Sequence, residues 1–295
     1  MNLDHFGMDT ITLAGPLEAK LRAVKAAGFT QIMLNATDIV GHPDGESAAI
    51  AAVRASGLRV TGFQVLRDFE GLAGHLHAYK VDVAKAMLEM CRALGSGILL
   101  ACSSTSAHAT GETDSLKTDL QKLALLAVPL NIRIAYEALS WGRYVNEFPQ
   151  SWDLVQEADR ANLGVCLDSY HILANRTDLG LLPDIDPRKV FLVQLSDFMW
   201  QELRSPEDRI DTARHFRVFP GEGVHSLEVA ELVRQIDGMG YRGDYSFEVF
   251  NDDYRQLPLP MVCERAKRSV KWVSDLVSRR SLPLRRTSTS RGCTL

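Results

Sequence analysis

Short apolar runs alternate with longer amphipathic ones along almost the whole chain. TITLAG (10–15) reads as a strand, and PLEAKLRAVKAAG (16–28) as a helix opened by Pro16 and closed by Gly28. TQIMLNA is the next strand, a helix near 45–56 stops at Gly57, and LRVTGFQ (58–64) is the third strand. Apolar residues at helical spacing over 79–95 end on Gly95, ahead of the fourth strand GILLACSS (97–104). A helix over 114–128 leads to IRIAYE (132–137), which is backed by a helix over 149–159. LGVCLD, KVFLVQL and DYSFEVF supply strands six to eight, with helices near 226–239 and 261–278. Eight such alternations with no strand-only stretch predict a parallel sheet closed into a single (β/α)8 TIM barrel over residues 1–278. The rival, an open doubly wound sheet, lacks a GxGxxG after an early strand.

Four of these runs end on an oxygen-bearing polar residue: Glu137, Asp168, Gln194 and Glu248. A charge at the end of a buried strand is costly unless it is paired or bound to a cation. Glu137 and Asp168 stand 31 residues apart, Asp168 and Gln194 26, and Gln194 and Glu248 54, the last being one repeat plus an insertion from about 197 to 225. Strand ends recurring once per repeat share one rim of a barrel, where active sites sit. Three carboxylates and an amide oxygen form a hard donor set suited to Mg²⁺, Mn²⁺ or Co²⁺. The alternative is that the acids cap helices or pair with arginines. His171, three residues past Asp168, falls over the same rim as a candidate general base. Arg67, Arg143 and Arg217 follow strand ends and are candidates to clamp a substrate carboxylate. The segment 197–225 is a candidate lid.

At these positions the chain resembles the bacterial 3-dehydroshikimate dehydratases of quinate and shikimate degradation, through YEALSWGRYVN, GVCLDSYHIL, VFLVQLSDF, RHFRVFPGEG and SFEVFNDDYR, with support from QVLRDFEG and LLACSS. The resemblance runs from about residue 8 to 275. It implies a cytoplasmic, divalent-metal hydro-lyase that converts 3-dehydroshikimate to protocatechuate and water. Glu137, Asp168, Gln194 and Glu248 would hold the metal and His171 would act as base. Arg67 and Arg217 would bind the substrate carboxylate or hydroxyls, and Ser103 would be a further pocket contact. Glu137 or the protonated His171 would return the proton to the departing hydroxyl. Asn35 stands where relatives tend to carry an acid, and Ala213 where a serine is expected. The alternatives in the same wider group are inosose dehydratase and the sugar isomerases and epimerases. An epimerase normally has histidine at the Gln194 position, which favours a dehydratase. Related barrels often associate, so a homo-oligomer fits the pattern. Some relatives carry a second, dioxygenase-like domain, which a chain ending here is expected to lack.

Charge removes other classes. The formal net charge of −4 argues against a nucleic-acid surface, and hence against the DNA-repair branch of the barrel group. The last 17 residues hold Arg279, Arg280, Arg285, Arg286 and Arg291 and no acid, leaving 28 basic against 37 acidic residues elsewhere. Without periodicity and rich in Ser, Thr and Arg, residues 279–295 read as a basic, flexible tail. The N-terminus has no basic-then-apolar leader and no apolar run reaches about 18 residues, so neither secretion nor a membrane span is expected. Cys102 and Cys166 lie inside strand-like runs, as packed thiols rather than a disulfide framework.

Overall fold

The computed structural model of the protein describes residues 1–280, with side chains to residue 278. Eight parallel strands close a barrel: β1 (Phe6–Asp9), β2 (Gln31–Asn35), β3 (Arg59–Arg67), β4 (Ile98–Cys102), β5 (Arg133–Glu137), β6 (Leu163–Asp168), β7 (Val190–Leu195) and β10 (Tyr245–Phe247). β10 lies between β7 and β1 and completes the ring. The intervening helices form the outer layer: α1 (Leu17–Ala26), α3 (Glu46–Ser56), α4 (Gly74–Leu94), α5 (Thr113–Ala127), α6 (Phe148–Ala158), α9 (Ser226–Gly238) and α10 (Leu259–Arg280). Strand residues such as Ile32, Leu99, Ile134, Leu192 and Phe247 are buried on both faces, as a sheet covered by helices requires. Among the described residues no helix is long and apolar enough to cross a membrane.

The first strand is Phe6–Asp9 rather than residues 10–15. Thr10–Thr12 instead make a 3₁₀ turn, whose first amide is held by the Asp9 side chain (Ile11 N to Oδ1, 2.9 Å). Threonine hydroxyls fasten that turn to its neighbours. Thr10 Oγ1 accepts from Asn35 N (2.9 Å), while Thr12 Oγ1 donates to Phe247 O (3.1 Å) and accepts from Val249 N (2.9 Å). The local Asp9 bond and the tertiary threonine bonds together defeat the β-branched propensity of the run.

Two short helices open directly from strand ends. Asn35 caps α2 (Ala36–Val40) and Asp168 caps α7 (Ser169–Ala174), accepting from Tyr170 N at 2.7 Å. The insertion after β7 is ordered: β8 (Asp197–Phe198) pairs antiparallel with β9 (Arg217–Val218), and α8 (Pro206–His215) lies between them. The buried Asp197 fastens this unit by accepting from Phe198 N, His225 N and Ser226 Oγ. The last helix continues through Arg279 and Arg280, the first two residues assigned to the basic tail. The rest of that tail, including Arg285, Arg286 and Arg291, lies outside the described residues.

Gly95 ends α4 at φ 74°, with nothing within 4 Å of where a Cβ would stand. Gly95→Ala is therefore expected to cost about 1 kcal/mol through backbone conformation alone, measured by chemical denaturation. An unchanged midpoint would contradict that origin.

Candidate active site

The carboxyl ends of the strands open into a cleft of about 670 Å³, its mouth included, a size suited to a small metabolite. Glu137, Glu248, His171, Arg67, Arg217 and Ser103 line it, together with Asn35, Gln64, Asp68, Cys102, Trp141, Ala213 and Arg214. Asp168 and Gln194 are fully buried and do not line it.

Donor atoms of Glu137, Asp168 and His171 lie within 4.8 Å of one another. His171, expected as a base, is thus part of the tight cluster. Glu248 joins it through Arg217, whose Nη1 donates to Asp168 Oδ2 (2.8 Å) and Glu248 Oε2 (3.0 Å). Gln194 lies below, its Oε1 accepting from Cys166 Sγ at 3.2 Å and its Nε2 facing Met33 Sδ at 3.9 Å. Cys102 Sγ donates to Glu137 Oε2 at 2.9 Å. Both thiols therefore back the oxygen donors from inside the barrel. Burial pushes the Glu137 carboxyl well up, and Asp168 and Glu248 push it further. Burial likewise raises Glu248 to about 7, with Arg217 opposing and Asp168 assisting. Close-set buried oxygens with this much mutual repulsion fit a divalent cation, which would neutralise charge that one arginine only partly balances.

Arg217 is placed by three elements. Its backbone pairs with Phe198, its N–H donates to Phe250 O (2.9 Å), and its carbonyl accepts from Asn251 Nδ2 (2.8 Å). Nε donates to Ala213 O (2.9 Å), and the guanidinium lies 4.4 Å over the Tyr170 ring. Burial works against the charge, but Asp168 and Glu248 outweigh it and raise the pKa.

His171 is buried edge-on to Trp141 (5.0 Å) and Tyr170 (5.2 Å). Burial holds its pKa down at about 3, Asp168 opposing and Arg217 assisting, so the ring is neutral at physiological pH. Its Nε2 stands 3.6 Å from Asp168 Oδ2, and Nδ1 meets both the N–H and the Oγ of Ser140 at 3.1 Å. The backbone N–H assigns the ring proton to Nε2. Ser140 Oγ can accept from Nδ1 instead, which frees Nε2 as a base.

Arg67 is exposed at the mouth, on a turn pinned by two acids. Asp68 (φ 51°) accepts from Thr105 N (2.7 Å), and the buried Glu70 accepts from Ser104 N (2.5 Å) and Tyr136 OH (2.9 Å). Ser103 Oγ lies inside the wall, accepting from Leu139 N (3.0 Å). Arg143 is not brought into the cleft. Its N–H is held by Ser104 O (2.8 Å), and its side chain lies outward over Tyr144, donating to that hydroxyl at 3.3 Å. Sequence reasoning missed Asp9, Gln64, Trp141 and Arg214. Asp9 is a buried acid ending β1 that accepts from Gln64 Nε2, and burial together with Glu248 raises its pKa. It obeys the strand-end rule that picked out the other acids, and a correct first strand would have exposed it.

Residues 21–276 match the family described as xylose isomerase-like TIM barrel, and the chain belongs to that family. It is 39% identical over 250 residues to a 3-dehydroshikimate dehydratase of Pseudomonas aeruginosa, covering 84% of this chain and 38% of that protein. The 3-dehydroshikimate dehydratase of Pseudomonas putida is 35% identical over 266 residues, covering 90% and 41%. This chain thus spans about two fifths of the length of these curated relatives. Among solved structures, a xylose isomerase-like TIM barrel/4-hydroxyphenylpyruvate dioxygenase fusion protein superposes with a TM-score of 0.87 at 33% identity, covering 96% of this chain and 45% of that one.

Two results test the geometry. Mn²⁺ or Mg²⁺ at 100 times its Kd should stabilise the chelator-treated protein by about 2.7 kcal/mol, and Asp168→Ala should abolish the gain. An equal gain in that variant would place the ion elsewhere. Burial, the dominant cause, raises Glu70 from 4.5 to about 7. The folded state therefore keeps a proton that the unfolded chain has already lost, and stability falls as pH rises from about 4.5 to about 7. Glu70→Gln should flatten that part of the stability profile, and an unaltered slope would refute the assignment.

Proposed function

We propose that the chain is a divalent-metal-dependent hydro-lyase that converts 3-dehydroshikimate to protocatechuate and water. The supporting observation is the convergence of Glu137, His171 and Glu248 on one cleft, with Asp168 and Gln194 buried behind them, in a chain 39% identical to a 3-dehydroshikimate dehydratase. Glu137, Asp168, Gln194 and Glu248 are the proposed ligands of Mg²⁺, Mn²⁺ or Co²⁺. The ion, when bound, supplies Lewis acidity toward a ketone and its neighbouring hydroxyl.

His171 performs the proton transfer. Neutral in its buried site, it takes the proton from the carbon next to the ketone through Nε2 once the ring proton has shifted from Nε2 to Nδ1, where Ser140 Oγ accepts it. The β-hydroxyl then leaves, receiving a proton from the His171 imidazolium or from Glu137. Carbon–hydrogen and carbon–oxygen bonds break, one carbon–carbon double bond forms, and enolisation of the remaining ketone completes the aromatic ring. Trp141 covers the His171 edge, and Arg217, which lines the cleft, is a hydrogen-bond donor available to substrate oxygens.

Protocatechuate formation from 3-dehydroshikimate, followed spectroscopically after each ion is restored to chelator-treated protein, tests the reading. Product is expected with at least one ion. None with any ion, from folded protein that binds metal, would redirect the assignment to a neutral keto-polyol such as an inosose. His171→Ala should keep its bound metal and lose at least about 10²-fold in turnover, the scale of general-base loss. Near wild-type turnover would remove the base role.

A further inference from the structure

We propose that Arg214, acting with Arg67, is the carboxylate receptor of the cleft, and that Arg217 serves as internal counter-ion of the buried acids. This inference rests on the reading that the substrate is a carboxylate with ketone and hydroxyl oxygens at its other end.

The three cleft arginines differ in how their charge is used. Arg217 is 2% exposed, and its Nη1 is shared between Asp168 and Glu248 while Nε is taken by Ala213 O. A guanidinium balanced by two carboxylates remains a hydrogen-bond donor to neutral oxygens, but its positive charge is already committed. Arg67 and Arg214 both line the cleft and are exposed, and among the described residues neither side chain has a hydrogen bond or ion pair. They come from separate parts of the rim, Arg67 from the end of β3 and Arg214 from the last turn of α8.

The cleft is thereby polarised along its depth. Glu137 and Glu248 face it from below, and the uncommitted cations stand at its mouth. Asp68 is the one further acid in the lining, and its Oδ1 is engaged by Thr105 N and Oγ1. With the floor acids balanced by Arg217 and the ion, an incoming carboxylate finds uncommitted positive charge only at the mouth. A ring carrying its carboxylate at one end thus enters with its neutral oxygens toward the floor. A single exposed guanidinium holds an anion weakly, so two planar forks acting on one carboxylate are what give the mouth its grip. Arg143, the third arginine expected for this task, is turned away over Tyr144.

Calorimetric titration of metal-loaded protein with protocatechuate and with catechol, which shares the adjacent oxygens but lacks the carboxylate, tests the assignment. Wild-type protein should bind protocatechuate the more tightly. Arg214→Gln should weaken protocatechuate about 10-fold, the scale of one charge-assisted contact, and leave catechol within about 2-fold. Arg214→Lys should recover part of the loss. In turnover, Arg214→Gln should raise KM about 10-fold with kcat within about 3-fold, as for lost uniform binding. Equal weakening of both ligands, no change in either, or wild-type protein that does not discriminate between them would overturn the proposal. Failure of wild-type protein to turn over 3-dehydroshikimate would instead sink the dehydratase reading, because the two-ligand comparison does not depend on turnover.

Discussion

Repulsion among buried carboxylates at one end of the barrel governs the design of this molecule. Glu137, Asp168 and Glu248 are each at most 5% exposed, and Asp9 is fully buried beside them. No surface relieves that charge, so the neighbourhood is built around neutralising it. The insertion after β7 exists in this sense for one residue. The β8–β9 pairing, the Asp197 staple and the Ala213 carbonyl together deliver Arg217 between two of the acids. The thiols of Cys102 and Cys166, weak donors both, are what the barrel interior places against Glu137 and Gln194. A divalent cation would balance the rest of the set.

That constraint also explains the division of labour around the cleft. A cation already shared by two acids cannot also be the main receptor for a third carboxylate, so anion recognition moves outward to uncommitted arginines. His171 is held neutral by its burial, which leaves it free to accept a proton, and Ser140 answers Nδ1 with both a donor and a hydroxyl. The Glu70 and Asp68 anchors, remote from the chemistry, fix the turn that presents Arg67. In the proposed reaction, binding at the mouth and proton transfer at the floor fall to different side chains on different elements.

Much of this was legible in the sequence because burial on both faces leaves parallel strands nearly continuous in apolar residues, so a lone acid at their ends stands out. IRIAYE and LGVCLD announce Glu137 and Asp168 in this way. FGMD does not, since four residues after a polar start give too little pattern, and the more β-branched TITLAG drew the first strand to itself. Tertiary hydroxyl bonds from Thr10 and Thr12 decided otherwise. Arginines were harder still. Arg67, Arg143 and Arg217 all follow strand ends in the sequence, and only exposure at the mouth, packing over Tyr144 and pairing with two acids tell their duties apart.

The most direct test of the charge-balance account is the stability of Arg217→Gln with and without a saturating divalent cation. Removing one partner from a buried ion pair typically costs about 3–5 kcal/mol. The account predicts a loss on that scale in chelator-treated protein, most of it recovered when Mn²⁺ or Mg²⁺ is added, because either positive charge relieves the same acids. An equal loss with and without the ion would contradict it, and would mean that Arg217 holds the ribbon in place rather than balancing the carboxylates.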